Sequence, residues 1–90
     1  MNEYKHFRLS KVVSRESGDK VDKKEIVGRN YTFHTEYLKV GHSLDFKDVN
    51  HVFGFHYEGK IVNIRKEVIR KRDYTIVSTK EFEYYLLEHK

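Results

Sequence analysis

Between Tyr4 and Val13 apolar and polar residues alternate, and Phe7, Leu9 and Val13 fall on one side of an extended chain. A period of two marks a half-buried strand, because successive Cβ atoms leave opposite faces. This segment is predicted as the first strand. Residues 15–24 follow as a polar stretch centred on Ser17-Gly18-Asp19 and read as a hairpin loop. Alternation resumes over 25–35 through Val27, Tyr31 and Phe33, with Gly28 as a bulge or a point of close backbone approach.

Val40-Gly41 interrupts the pattern, and Ser43–Phe46 makes a short strand with Leu44 and Phe46 on one face. Asp48-Val49-Asn50 is a turn candidate, and 51–57 a strand with Phe53, Phe55 and Tyr57 on one face. Glu58-Gly59 has the composition of a two-residue hairpin connection. Ile61, Val62, Ile64, Val68 and Ile69 fall within one helical stripe, but Arg65 and Arg72 lie in the same stripe. Their β-branching favours a strand, and 73–79 is a clearer one.

Residues 80–89 fit two templates. Ser78 with Glu81 forms a capping box, and Val77 with Phe82 a hydrophobic staple, which together describe a C-terminal helix. Phe82, Tyr84 and Leu86 alternate equally well as a final strand. Turn signals recurring every ~8–12 residues between short alternating runs predict a mainly β chain. The expected architecture is a small antiparallel barrel or sandwich-like sheet of five to seven short strands, with a C-terminal helix as the open alternative.

Composition strengthens the β reading. The chain has no Ala and no Gln, whereas Tyr (7), Phe (6), Val and Ile are abundant. It lacks the best helix former and is rich in residues that suit a pleated surface. The charged fraction of 36% is high, but aromatic content of 14% separates the chain from disordered sequences. Ninety residues, without repeat or linker, are read as one domain, 1–90. Some rings among Tyr4, Tyr31, Tyr37, Tyr84 and Tyr85 must lie near the surface, since so small a core cannot enclose them all. Cysteine is absent, and no apolar run approaches the ~18 residues of a spanning helix. The expectation is a cytoplasmic protein that makes no use of a membrane.

Candidate chemistry is sparse. His51 and His56 are five apart and point to opposite faces of a regular strand, so only a bulge at Gly54 would let them chelate. His34 and His42 flank a turn and could meet only through tertiary folding. His42, Ser43 and Asp45 put the letters of a nucleophilic triad side by side, but neighbours in sequence cannot converge on one serine. Glu81 and Glu83 read as a solvated face. No catalytic residue, metal site or cofactor is expected, and the chain is read as not an enzyme.

The strongest functional signal is the stretch Arg65-Lys66-Glu67-Val68-Ile69-Arg70-Lys71-Arg72, with five positive charges and one negative. Arg65, Lys66, Arg70, Lys71 and Arg72, with Arg29, Tyr31 and Tyr74 as basic and aromatic companions, are the candidate binding residues. The net charge of +4 permits an anionic partner without demanding one. Residue usage resembles that of AT-rich bacterial genomes and their phages. The expected function is a non-enzymatic binding protein, a phage- or mobile-element-encoded regulator or inhibitor that occupies a surface of a host protein or protein complex. The alternative is a small β-domain that binds DNA or RNA through 65–72.

Overall fold

Chains rich in β-branched and aromatic residues gain most where side chains stand off a pleated sheet, and this chain does so almost throughout. The computed structural model describes residues 3–47 and 55–89, with Lys47 and Phe55 described by backbone alone. The strands are β1 (Tyr4–Ser14), β2 (Lys20–Val21), β3 (Asn30–His34), β4 (Ser43–Lys47), β5 (Phe55–Lys60), β6 (Asn63–Ile69), β7 (Arg72–Ser78) and β8 (Phe82–Glu88). The only helical turn among the described residues is a 3-10 turn at Thr35–Tyr37. One antiparallel sheet runs β2-β1-β8-β7-β6, with β3 beside the first half of β1; β4 and β5 form a separate two-stranded sheet. The arrangement is sandwich-like and not a closed barrel.

One core lies between the two sheets. Phe7, Leu9, Val12, Tyr31, Val77, Tyr84 and Leu86 of the large sheet meet Leu44 and Phe46 of β4, with Ile26 and Ile61 closing the ends. Phe46 is its hub: its ring lies 4.8 Å from Tyr31 and 5.6 Å from both Phe33 and Tyr84. Truncation of such a ring removes about 3–5 kcal/mol.

The residues of 80–89 form a strand. Tyr84 lies between Val12 and Val77, and Leu86 between Leu9 and Thr75, so alternation buries both. The Ser78 hydroxyl, which would have capped a helix, donates to Glu83 instead. Thr79 and Phe82 close the reversal, with the Thr79 N–H donating to the Phe82 carbonyl at 2.9 Å. Residues 63–69 of the ambiguous 61–69 stretch are likewise strand, and Ile61-Val62 is the connection before it.

Other expectations need correction. On β1 the pairing shifts between Leu9 and Lys11, so Val12 rather than Val13 follows Leu9 into the core. The extra residue, Ser10, is a bulge that moves the inward phase by one position. Residues 25–29, expected as strand, belong instead to a turn over 22–29 that buries Ile26, and the Tyr31 hydroxyl donates to the Ile26 carbonyl at 2.7 Å. Gly28 does approach β1 closely: its N–H donates to the Leu9 carbonyl at 2.8 Å. Glu58-Gly59 is no hairpin turn. Gly59 lies inside β5 at φ 115°, and at Ile61-Val62 the chain passes from the small sheet to the large one. There Ile61 bonds to Gly41 and His42, and Val62 to Ser78. Tyr57 faces solvent at 60% exposure. The turn expected at 48–50, and residues 51–54 of the expected strand, lie outside the described residues.

Candidate functional site

The basic stretch folds into β6, a two-residue turn and the start of β7. Ile69 pairs with Arg72, leaving Arg70 and Lys71 at the tip with φ 51° and 65°. Two consecutive residues at positive φ mark the type I′ turn, whose twist suits a tight hairpin and whose usual residues are Asn and Gly. Side chains with a Cβ occupy this region at a cost of about 1–2 kcal/mol each. Two long basic side chains therefore stand where local energetics favour neither.

Register fixes where each cation leaves the ribbon. Arg65, Glu67 and Ile69 share the outer sheet face with Arg72, Tyr74 and Ile76, whereas Lys66 and Val68 share the inner face with Thr75 and Asp73. Arg70 and Lys71 crown the tip, and Lys66 and Arg72 leave by opposite faces. All four are exposed, and none of the described ion pairs involves them.

The other candidates separate from this group. Arg65 donates to Glu83 at 2.7 Å and to Glu67 at 3.0 Å. The carboxylates raise its already high pKa, and the guanidinium holds Glu83 below the usual carboxylate range. Arg65 thus binds the outer face together, and it consumes Glu67, the acid that interrupts the basic run. Ile76 lies between Arg65 and Tyr85 in register and is fully buried on this outer face. Tyr74 is half-buried against Tyr85, ring centres 6.3 Å apart. Tyr31 is a core residue, 1% exposed, and offers no surface to a ligand. Arg29 sits across the sheet, where its carbonyl accepts from Leu9.

Two further clusters were not legible in the sequence. Glu58 accepts from the Tyr84 hydroxyl at 2.7 Å and pairs with Lys23 at 3.1 Å. Burial first, then the Glu58 hydrogen bond, raises the Tyr84 pKa well above the usual tyrosine range. These residues come from a turn, β5 and β8, and no local spacing connects them. A surface row of rings runs Tyr4, His34, Tyr37, His42, with neighbouring centres 4.9, 5.2 and 5.9 Å apart. Tyr4 and Tyr37 are the exposed tyrosines expected among the five named, and Tyr85 is half-buried; Tyr31 and Tyr84 are instead core residues.

His34 and His42 each lie against the Tyr37 ring. His6 meets the Thr32 hydroxyl and His89 the Asn30 side chain, while His34 accepts from the Glu36 N–H. His51 lies outside the described residues. Among the described residues no three His, Asp or Glu side chains gather as metal ligands. His42 lies tilted against the Tyr37 ring, and burial raises the Asp45 carboxyl above its usual pKa. No described helix is long and apolar enough to cross a membrane. Comparison with protein-family models, curated proteins and solved structures finds no match.

Proposed function

We propose that this chain is a non-enzymatic binding protein of the cytoplasm, a regulator or inhibitor that occupies an acidic surface of a larger host macromolecule. Its contact element is the β6–β7 hairpin. The observation that carries the reading is the turn: Arg70 and Lys71 hold left-handed backbone that Asn-Gly would occupy with less strain. Strain retained against an easy local remedy points to a use for the side chains. Here they add charge to a tip that already carries Arg72, with Lys66 three pairs down the ladder.

A second reading, in which the macromolecule is a nucleic acid, draws on the placement of the cations. Lys66 and Arg72 leave opposite faces of the ribbon with Arg70 and Lys71 between them. The hairpin tip, which extends past the last β7–β8 pair at Tyr74, is narrow enough for the duplex major groove, about 12 Å wide, where phosphates flank both sides. Capture from host lysate with and without nuclease separates the two readings. A single partner retained after nuclease, and captured more slowly by Arg70→Ser/Lys71→Ser/Arg72→Ser, supports the protein target. Nuclease-sensitive retention supports the second. Undiminished capture by the triple variant refutes the hairpin as the contact element.

A further inference from the structure

β6 is an edge strand: among the described residues it pairs with β7 alone. It is seven residues long, regular, and without proline or bulge. A two-residue hairpin closes on a pair that exchanges both hydrogen bonds, here Ile69 and Arg72. Alternation then gives the next ladder bonds to Glu67, Arg65 and Asn63. It turns the N–H and C=O groups of Val68, Lys66 and Ile64 away from β7. Such an edge templates another strand unless something blocks it.

We propose that β6 is self-complementary and that two copies of this chain pair through it, antiparallel, about a two-fold axis at Lys66. The inference is independent of what the hairpin tip binds. An axis at Lys66 brings Ile64 opposite the second copy's Val68 and Lys66 opposite its counterpart. All three pairs so formed are between residues whose backbone groups point outward, so the hydrogen-bond phase is satisfied. The same axis brings Arg65 opposite the second copy's Glu67, twice. Moving the axis to Arg65 or Glu67 opposes like charges instead. Val68, 70% exposed in the single chain, gains an apolar neighbour on the inner face. Only Lys66 against Lys66 opposes pairing, since like charges directly across a ladder are unfavourable.

That one conflict makes the test specific, because two substitutions remove the same charge with opposite results. Sedimentation equilibrium from about 10 μM to about 1 mM should show the wild-type chain passing from 10.9 kDa to twice that mass. Lys66→Thr keeps the edge N–H and removes the repulsion, so dimerisation should tighten several-fold. Lys66→Pro removes an N–H that β7 does not use, so the fold should persist while the dimer is lost. Glu67→Arg, which sets two arginines against each other, should weaken the dimer tenfold or more and guards against misfolding of the proline variant. A wild-type chain that stays monomeric overturns the proposal. So does a folded Lys66→Pro variant that still dimerises, or a Lys66→Thr variant that weakens the dimer.

Discussion

The Tyr84 hydroxyl donates to the Glu58 carboxylate at 2.7 Å from within the core, so the large sheet is tied to the small one by a polar bond. Lys23 reaches the same oxygen at 3.1 Å, with side-chain exposures of 19% for Lys23 and 12% for Glu58. A partly buried pair is costly to break on one side only, because the remaining group keeps its desolvation cost without its partner. Glu58→Ala is expected to destabilise by about 2–4 kcal/mol. Tyr84→Phe leaves the Lys23–Glu58 pair intact and should cost about 1 kcal/mol. Thermal melts check both, since 1 kcal/mol shifts Tm by roughly 4–8 °C in a chain of this size. Equal losses in the two variants would refute this ranking.

Acid sensitivity follows from the outer face. Arg65 holds the Glu83 carboxyl below its usual value of 4.5, first by a hydrogen bond and then by charge. Folding therefore weakens proton binding at this site. The stability it contributes is complete above about pH 4.5 and is lost as pH falls through the lower folded value. Asp45, raised by burial, acts in the opposite sense and favours the folded state in acid. Glu83→Gln should flatten the fall in Tm below pH 4.5, whereas Asp45→Asn should raise Tm near neutrality and steepen that fall. Unfolding curves across pH 2–7 check the two signs.

The strand composition was legible because β-branched and aromatic residues dominate and turn residues recur at short spacing. The phase of β1 was not. Alternation from Phe7 through Leu9 pointed to Val13, and nothing in Leu9-Ser10-Lys11 announces a bulge. It arises from pairing with β8, which lies far along the chain. Val12→Thr should cost about 1–3 kcal/mol by placing a hydroxyl in the core, and Val13→Thr, on the other face, under about 0.5 kcal/mol. The basic cluster was legible as charge. Its division between Arg65, held by Glu83, and four outward cations depended on hairpin register, which composition does not encode. Tyr31 failed as a surface candidate for a similar reason: the turn over 22–29 folds Ile26 beneath it.

The tip turn links stability to binding. Arg70→Asn/Lys71→Gly installs residues that adopt positive φ readily, and should stabilise the chain by about 1 kcal/mol or more. It also removes two of the four outward cations, so affinity for the partner should fall. Tm rising while affinity falls is the expected pair of results, from calorimetry and from titration against the captured partner. Unchanged affinity in the stabilised variant would deprive the turn strain of its functional meaning.

Salt dependence distinguishes the two classes of target. If the hairpin enters a duplex groove, Lys66, Arg70, Lys71 and Arg72 each neutralise a phosphate and release a counterion. Log affinity should then fall against log salt with a slope of about −0.9 per contact, near −3.6 for all four. Arg70→Ser/Lys71→Ser/Arg72→Ser should reduce that slope by up to about 2.7, with Tm little altered because these side chains are exposed. Lys66 alone should then leave a slope near −0.9. On an acidic protein surface the same cations chiefly steer the encounter, so the triple variant should lower the association rate several-fold and leave the dissociation rate nearly unchanged. The protein target is expected, because +4 is a mild excess for a chain that must compete for phosphates at physiological salt. A slope steeper than about −3, with binding to duplex that survives physiological ionic strength, would reverse that order.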